Sequence, residues 1–149
     1  MTIRRIRESE LHQLIELYRH YVPEENLPSL SEDTIRGIWQ QIQSNPGVNY
    51  FVLEADSRIA AACILSITPS FIRGGVAYGL IEHVVTHPGH RRKGYGEALI
   101  NHALGCAWEN GCTEVMLLSG SQNKIAHAMY EKLGFDRHRK TGFIMFKPG

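Results

Sequence analysis

The sequence predicts a mixed α/β domain, and three observations carry that expectation. Apolar residues at helical spacing occupy Leu11 to Val22 and Ile35 to Ile42, short β-rich runs begin at Tyr50, and helix and strand patterns alternate after Val85. The resulting order is βααβββαβαβ. No Pro/Gly/Ser-rich linker, repeat or low-complexity segment interrupts it, so residues 1–149 read as one domain.

After an opening strand, Leu11, Leu14, Ile15, Tyr18 and Val22 mark one face of a first helix, with Ser9 as its N-cap and Pro23 as its end. Ser31 starts a second helix, with Glu32 and Asp33 in its first turn where the helix dipole favours acids. Its apolar face, Ile35, Ile38, Trp39 and Ile42, should be buried, and Asn45-Pro46-Gly47 stops it.

Tyr50–Ala55 and Ile59–Ile67 flank Asp56-Ser57, the pattern of an antiparallel hairpin. Gly74-Gly75 then opens a strand from Val76 to Thr86, whose Leu80, Ile81, Val84 and Val85 suit a central strand covered on both faces. His87-Pro88-Gly89 ends it. A helix from Glu97 to Asn110 stops at Gly111, a buried strand runs from Glu114 to Ser119, and Ala126, Met129, Tyr130 and Leu133 line a short helix capped by Gly134. Phe143–Phe146 should supply a last strand.

Composition narrows the function. A chain of 149 residues buries roughly two thirds of its surface, and with 43% hydrophobic residues it needs no metal or disulfide staple. Lys+Arg number 16 against 15 Asp+Glu, which excludes a surface built throughout to grip nucleic acid or an anionic membrane. Cys63, Cys106 and Cys112 are odd in number and form no Cys-x-x-Cys, so a reducing, cytoplasmic setting is expected. No stretch approaches the ~20 consecutive apolar residues of a membrane span.

The segment richest in chemistry is Val84-Val85-Thr86-His87-Pro88-Gly89-His90-Arg91-Arg92-Lys93-Gly94-Tyr95-Gly96-Glu97: a buried strand, a basic glycine-punctuated loop, then a helix. Backbone N–H groups at such a helix start have no intrahelical partner and point at an anion, with the helix dipole behind them. Gly94 and Gly96 let a diphosphate approach the backbone. This is not a P-loop, since Tyr95 and Gly96 stand where Lys and Ser/Thr are required. Nor is it a dinucleotide fingerprint, since Leu99 holds the third glycine position.

Arg91, Gly94 and Gly96 do form R-x-x-G-x-G, which resembles the acetyl-CoA loop of the GNAT N-acetyltransferase superfamily. Asn123-x-x-Ala126-x-x-x-Tyr130-Glu131-Lys132-Leu133-Gly134-Phe135 resembles that superfamily's C-terminal motif. The resemblance covers about Tyr50 to Phe146 and implies a central, mostly antiparallel mixed sheet flanked by about four helices. It also implies acetyl-CoA as co-substrate, with no metal. Val84, Val85, Thr86, Arg91, Arg92, Lys93, Gly94, Tyr95, Gly96, Glu97, Asn123 and Tyr130 would hold the coenzyme.

Amine acetylation needs a base, an oxyanion donor and an acid. By resemblance these are Glu82, the Val84 N–H and Tyr130. The acceptor is expected to be a primary amine of a small molecule, attacked directly in a ternary complex. The strand Ile81-Glu82-His83-Val84-Val85 resembles that of glucosamine-phosphate acetyltransferases, which commonly have an acidic residue where His83 stands. Small amines, antibiotics and peptide amines therefore stay open as acceptors. A non-catalytic acyl-CoA sensor on the same fold, or an enzyme acting on a peptide or protein amine, is the alternative.

Plainer readings stand beside these. Tyr130 shares a stripe with Ala126, Met129 and Leu133 and so suits a core aromatic. Glu82, on an apolar strand, needs either a function or a buried salt-bridge partner. Arg91-Arg92-Lys93 and Arg137-His138-Arg139-Lys140 both fit solvated charge runs. His83, His87 and His90 lack the His-Glu-x-x-His spacing of a metal helix, and Pro88 forbids a regular helix there. Cys106 and Cys112 read as small buried side chains. A homodimer is expected, since exposed late strands in small domains pair.

Overall fold

A computed structural model describes residues 1–22 and 28–149. The chain divides into two compact units, Met1–Leu117 and Leu118–Gly149. The first holds a five-stranded sheet in sequence order: β1 (Thr2–Arg5), β2 (Val48–Ala55), β3 (Arg58–Thr68), β4 (Ala77–Thr86) and β5 (Cys112–Leu117). Neighbours are antiparallel except β4 and β5, which run parallel. The mixed, mostly antiparallel sheet is as expected. Its helices are α1 (Leu11–Tyr18), α2 (Glu32–Ser44) and α3 (Tyr95–Glu109); the second unit holds α4 (Lys124–Lys132).

Several elements follow directly from local chemistry. Asp56 and Ser57 both take positive φ, 52° and 59°, which matches the right-handed twist of a two-residue hairpin joining β2 to β3. The Ser31 side chain accepts the Thr34 N–H at 3.1 Å and so caps α2. Gly111, at φ 81°, turns the chain out of α3 and into β5.

Alternation along β2 sends side chains to two cores. Val52 packs with Ile6, Leu14, Leu17, Ile59, Ala62 and Val85 beneath α1. Phe51 points the other way, its ring 4.8 Å from that of His102 on α3. Leu53, Leu65, Ile81, Leu99 and Ile100 are fully buried. Truncating any one of these leucines or isoleucines to Ala would cost about 2–5 kcal/mol.

Other expectations are corrected. Ser9 lies inside a short 3-10 turn, Glu8–Glu10, that precedes α1, so it is not the cap. Glu10 holds the N-cap position of α1 without bonding that helix through its side chain; its carboxylate instead accepts the Arg7 N–H at 2.9 Å, ahead of the 3-10 turn. Pro23 lies outside the described residues. No residue of α2 is fully buried and Ile38 is exposed, because its apolar stripe meets the core chiefly through Trp39. α3 begins at Tyr95, two residues early, and β5 spans Cys112–Leu117 with only Cys112 buried. Phe143–Phe146 forms no strand, and all four side chains are exposed.

Glu10 also ties β1 down. Its carboxylate accepts hydrogen bonds of 2.6 and 2.8 Å from the Arg4 guanidinium, which bonds Glu54 on β2 as well. The Arg4 contact holds the Glu10 carboxyl below its ordinary range. A depressed carboxyl stabilises the fold above its unfolded pKa, and that contribution disappears as pH falls through the folded value. Glu10→Gln should therefore lower stability near neutrality by about 1–3 kcal/mol and have a smaller effect in acid. Urea midpoints at about pH 7 and about pH 3 read the difference.

Candidate active site

The site begins with a break in β4. Across from β3, Glu82 faces Ile64 and Val85 faces Ala62, so His83 and Val84 together oppose the single residue Cys63. This is a β-bulge. His83 takes the left-handed φ of 49° that bulges usually give to glycine. The inserted residue shifts the alternation, and Glu82 and His83 are consecutive exposed positions on a strand whose Ile81 and Val85 are buried.

On its other side β4 pairs with β5 only as far as Ile81 opposite Leu117. From Glu82 to Thr86 that edge has no strand partner among the described residues. An extended chain carrying amides can pair with such an edge as an added strand would. Val84 and Thr86 are half-buried and Val85 is buried.

β4 leads into the basic loop. His87 N–H bonds the Ala60 carbonyl at 2.8 Å, and a short 3-10 turn, Pro88–His90, redirects the chain. Arg92 and Gly94 both take left-handed φ, 62° and 75°. Arg91, Arg92 and Lys93 are exposed and make no ion pair among the described residues. Gly94 is the N-cap of α3, with no side chain bonded to the helix start. Ser31 and Asn123 cap α2 and α4, so α3 alone of these three has no side-chain cap. A helix start of this kind beside three exposed cations is chemically suited to an anion such as a diphosphate. The arrangement fits coenzyme A, with Tyr95, Gly96 and Glu97 forming the first turn of α3.

Among the described residues the Glu82 carboxylate makes no hydrogen bond or ion pair, so the buried salt bridge considered for it is not found there. The carboxylate is exposed rather than buried, which removes the cost that would have demanded a partner. Tyr50 is near enough for the Glu82 charge to add to burial in pushing its phenol pKa up. Sequence reasoning missed the aromatic surround: the rings of Tyr18 and Tyr21 lie 5.8 and 5.7 Å from that of His83. The Tyr18 hydroxyl is buried without a partner. Only the helical stripe marked Tyr18 in advance, and it gave no sign of a contact with His83.

In the second unit the Asn123 side chain accepts the Ala126 N–H at 3.2 Å, so its oxygen is engaged in capping α4. Tyr130 is buried, its ring 6.0 Å from that of Phe135. Arg137 pairs with Glu131, so the second basic cluster is partly neutralised within its own unit.

Residues 11–135 match the model of the acetyltransferase (GNAT) family. The chain belongs to that family. It is 33% identical over 142 residues to the glucosamine 6-phosphate N-acetyltransferase of Trypanosoma brucei brucei, covering 94% of this chain and 92% of the relative. A solved structure from Agrobacterium tumefaciens strain C58 superposes with a TM-score of 0.91 at 31% identity, over 99% of this chain and all of the other. AAC(6′)-Iy, solved with a bisubstrate analog, CoA-S-monomethyl-acetylneamine, shares the fold at 19% identity, with a TM-score of 0.78 over 99% and 98% of the two chains.

The chain is thus a GNAT N-acetyltransferase, in a family that draws its acetyl group from acetyl-CoA. Among the described residues no group of three or more His, Cys, Asp or Glu is placed to hold a metal ion. No described helix is long and apolar enough to cross a membrane.

The space around Gly94 is open, so its requirement is conformational. An L side chain at its left-handed φ costs roughly 1–2 kcal/mol. Gly94→Ala should weaken coenzyme A binding about tenfold while far-UV circular dichroism stays unchanged. Isothermal titration measures the loss.

Proposed function

We propose that this GNAT domain, residues 1–149, transfers acetyl from acetyl-CoA to a primary amine of a small molecule by direct attack in a ternary complex. The observation that carries the reading is the unpaired Glu82 carboxylate, exposed on a strand that beyond Ile81 has no partner on its β5 side. The Trypanosoma relative is named for an amine of that kind, glucosamine 6-phosphate. Where glucosamine-phosphate acetyltransferases commonly carry an acidic residue this chain has His83, so the acceptor we propose is a small primary amine and not that sugar phosphate in particular.

Acetyl-CoA supplies an activated acetyl group as a thioester. Backbone of Val84, Val85 and Thr86 pairs with the pantetheine amides, and Arg91, Arg92, Lys93 and the Gly94–Glu97 turn bind the diphosphate. Glu82 takes the proton from the attacking amine, directly or through one water. The Val84 N–H, outside the β3 register, stabilises the negative charge that develops on the carbonyl oxygen. Tyr130 returns a proton to the departing thiolate, and Asn123, by holding the start of α4, positions it.

Glu82→Gln should lower kcat by about 10²–10⁴ with coenzyme A affinity unchanged, and Tyr130→Phe should also lower kcat. Thiol release over a panel of amines reads kcat, and calorimetry reads binding. Coenzyme binding without turnover on any amine would instead identify a non-catalytic sensor. Turnover confined to peptides would move the acceptor to protein amines.

The reading includes a cytoplasmic homodimer. Cys63, Cys106 and Cys112 are all free thiols, as a reducing compartment requires. Phe143, Ile144, Met145 and Phe146 are 78–93% exposed in a single chain. Burying such side chains gains about 1.5–3 kcal/mol each, and a run apolar on both faces suits a strand inserted into a second copy. Sedimentation equilibrium should give a dimer for the native chain and a monomer for Ile144→Glu. A native monomer would remove the dimer from the proposal.

A further inference from the structure

The chain contains a single Asn-Gly pair, Asn110-Gly111, at the joint where α3 ends and β5 begins. An asparagine before glycine readily loses its side-chain amide, because a glycine nitrogen, with no Cβ beside it, has open access to the carboxamide carbon. Neither residue takes part in the steps assigned to Glu82, Val84 or Tyr130.

Three features of the closed joint hold the pair unreactive. The Asn110 Nδ2 donates to the Cys106 carbonyl at 2.8 Å, which fixes the carboxamide against the last turn of α3. The Gly111 nitrogen, which would have to attack, donates its N–H to the Trp108 carbonyl at 3.1 Å. Asn110 also has a ψ of 17°. That angle nearly eclipses the Gly111 nitrogen with the nitrogen of Asn110 itself and turns it away from Cβ, so a succinimide ring cannot close until the bond rotates.

The joint itself is thinly anchored. Every residue between the buried Ala107 and the buried Cys112 is exposed, so few apolar contacts oppose opening of this turn.

We propose that Asn110-Gly111 is a deamidation site gated by local opening of the joint between α3 and β5, and that the isoaspartate formed there keeps the joint from closing again. On opening, the Gly111 nitrogen attacks Asn110 Cγ. The new C–N bond replaces the bond from Cγ to Nδ2, and the amide leaves as ammonia with the proton given up by the Gly111 nitrogen. Water then opens the succinimide at either carbonyl, giving aspartate or, with the main chain rerouted through the side chain, isoaspartate. No oxidant or enzyme takes part.

Both products act on the joint. Isoaspartate adds a methylene to the main chain just where the Gly111 carbonyl accepts the Ala77 N–H at 3.3 Å and Cys112 stands opposite Ala77. The first rung of the parallel pairing between β4 and β5 is thereby put out of register. Aspartate leaves the main chain intact but sets a carboxylate in place of the donor to the Cys106 carbonyl, at the negative end of the α3 dipole. None of this rests on the acetyltransferase reading.

The full chain is aged in warm, mildly alkaline buffer and mapped by peptide mass spectrometry. Conversion should appear at Asn110 and not at Asn101 or Asn123, which precede His102 and Lys124. It should be at least about tenfold slower in the folded chain than in strong urea. In dilute urea, well below the unfolding midpoint, it should run faster than the globally unfolded fraction alone supplies. Asn110→Gln should show none of it. Conversion as fast in the folded chain as in strong urea overturns the gate, and a rate that merely follows the globally unfolded fraction overturns its local character.

The isoaspartate form, separated by ion exchange, should have a lower urea midpoint than the Asn110→Asp variant and should lose hydrogen-exchange protection at the Ala77 amide. Equal midpoints with the Ala77 amide still protected overturn the claim that the joint stays open.

Discussion

One extra residue in β4 organises everything around it. Because His83 and Val84 share the single partner Cys63, the strand cannot keep both its pleat and its pairing with β5. Pairing ends at Ile81, a stretch of backbone is left without a partner on one side, and two consecutive side chains turn outward. The left-handed backbone at His83 costs about 1–3 kcal/mol. It persists because the register on each side is fixed: Leu65 opposite Ile81 and Ile64 opposite Glu82 before the bulge, Ala62 opposite Val85 and Ala61 opposite Thr86 after it. The strain sits where the proposed base and oxyanion donor meet.

The loop that follows solves a second problem, the concentration of positive charge on a nearly neutral protein. Ser31 and Asn123 satisfy N–H groups at the starts of α2 and α4. α3 starts on Gly94, which has no side chain to do the same. Arg91, Arg92 and Lys93 reinforce the same end of the dipole. A net charge of +1 conceals this arrangement, since the total says nothing about where the 16 basic groups stand.

Most of the fold was legible because its signals are local. Asp56-Ser57, Ser31 and Gly111 each prescribe a backbone conformation at one position, and the structure adopts all three. The loop after β4 was legible for the same reason. What was hidden depends on tertiary placement. Val76 to Thr86 reads as a continuous apolar strand, and nothing in its composition marks His83 for a left-handed φ, since a glycine would have been the usual sign. The exposure of Glu82 followed from that and was missed with it. Phe143–Phe146 has strand composition, yet composition names no partner, and within one chain these residues find none. The α2 stripe failed differently: a moment says which face is apolar, not how much core exists to receive it.

β4 serves two masters through alternate residues. Ile81 and Val85 are packed into the core, whereas Glu82 and His83, between them, face outward beside Tyr18 and Tyr21. Core packing is stiff at the scale of a methylene, so the position of the exposed pair is set by buried neighbours one residue away. The geometry of the site is therefore inherited from the core and not from the loops around it. The strand that carries the proposed base is paired with β3 on both sides of the bulge, while Tyr18 at the end of α1 and Tyr21 just beyond it bring their rings to His83. Changes in α1 and the residues after it can therefore alter the surroundings of His83 while the bulge itself stays fixed by its register.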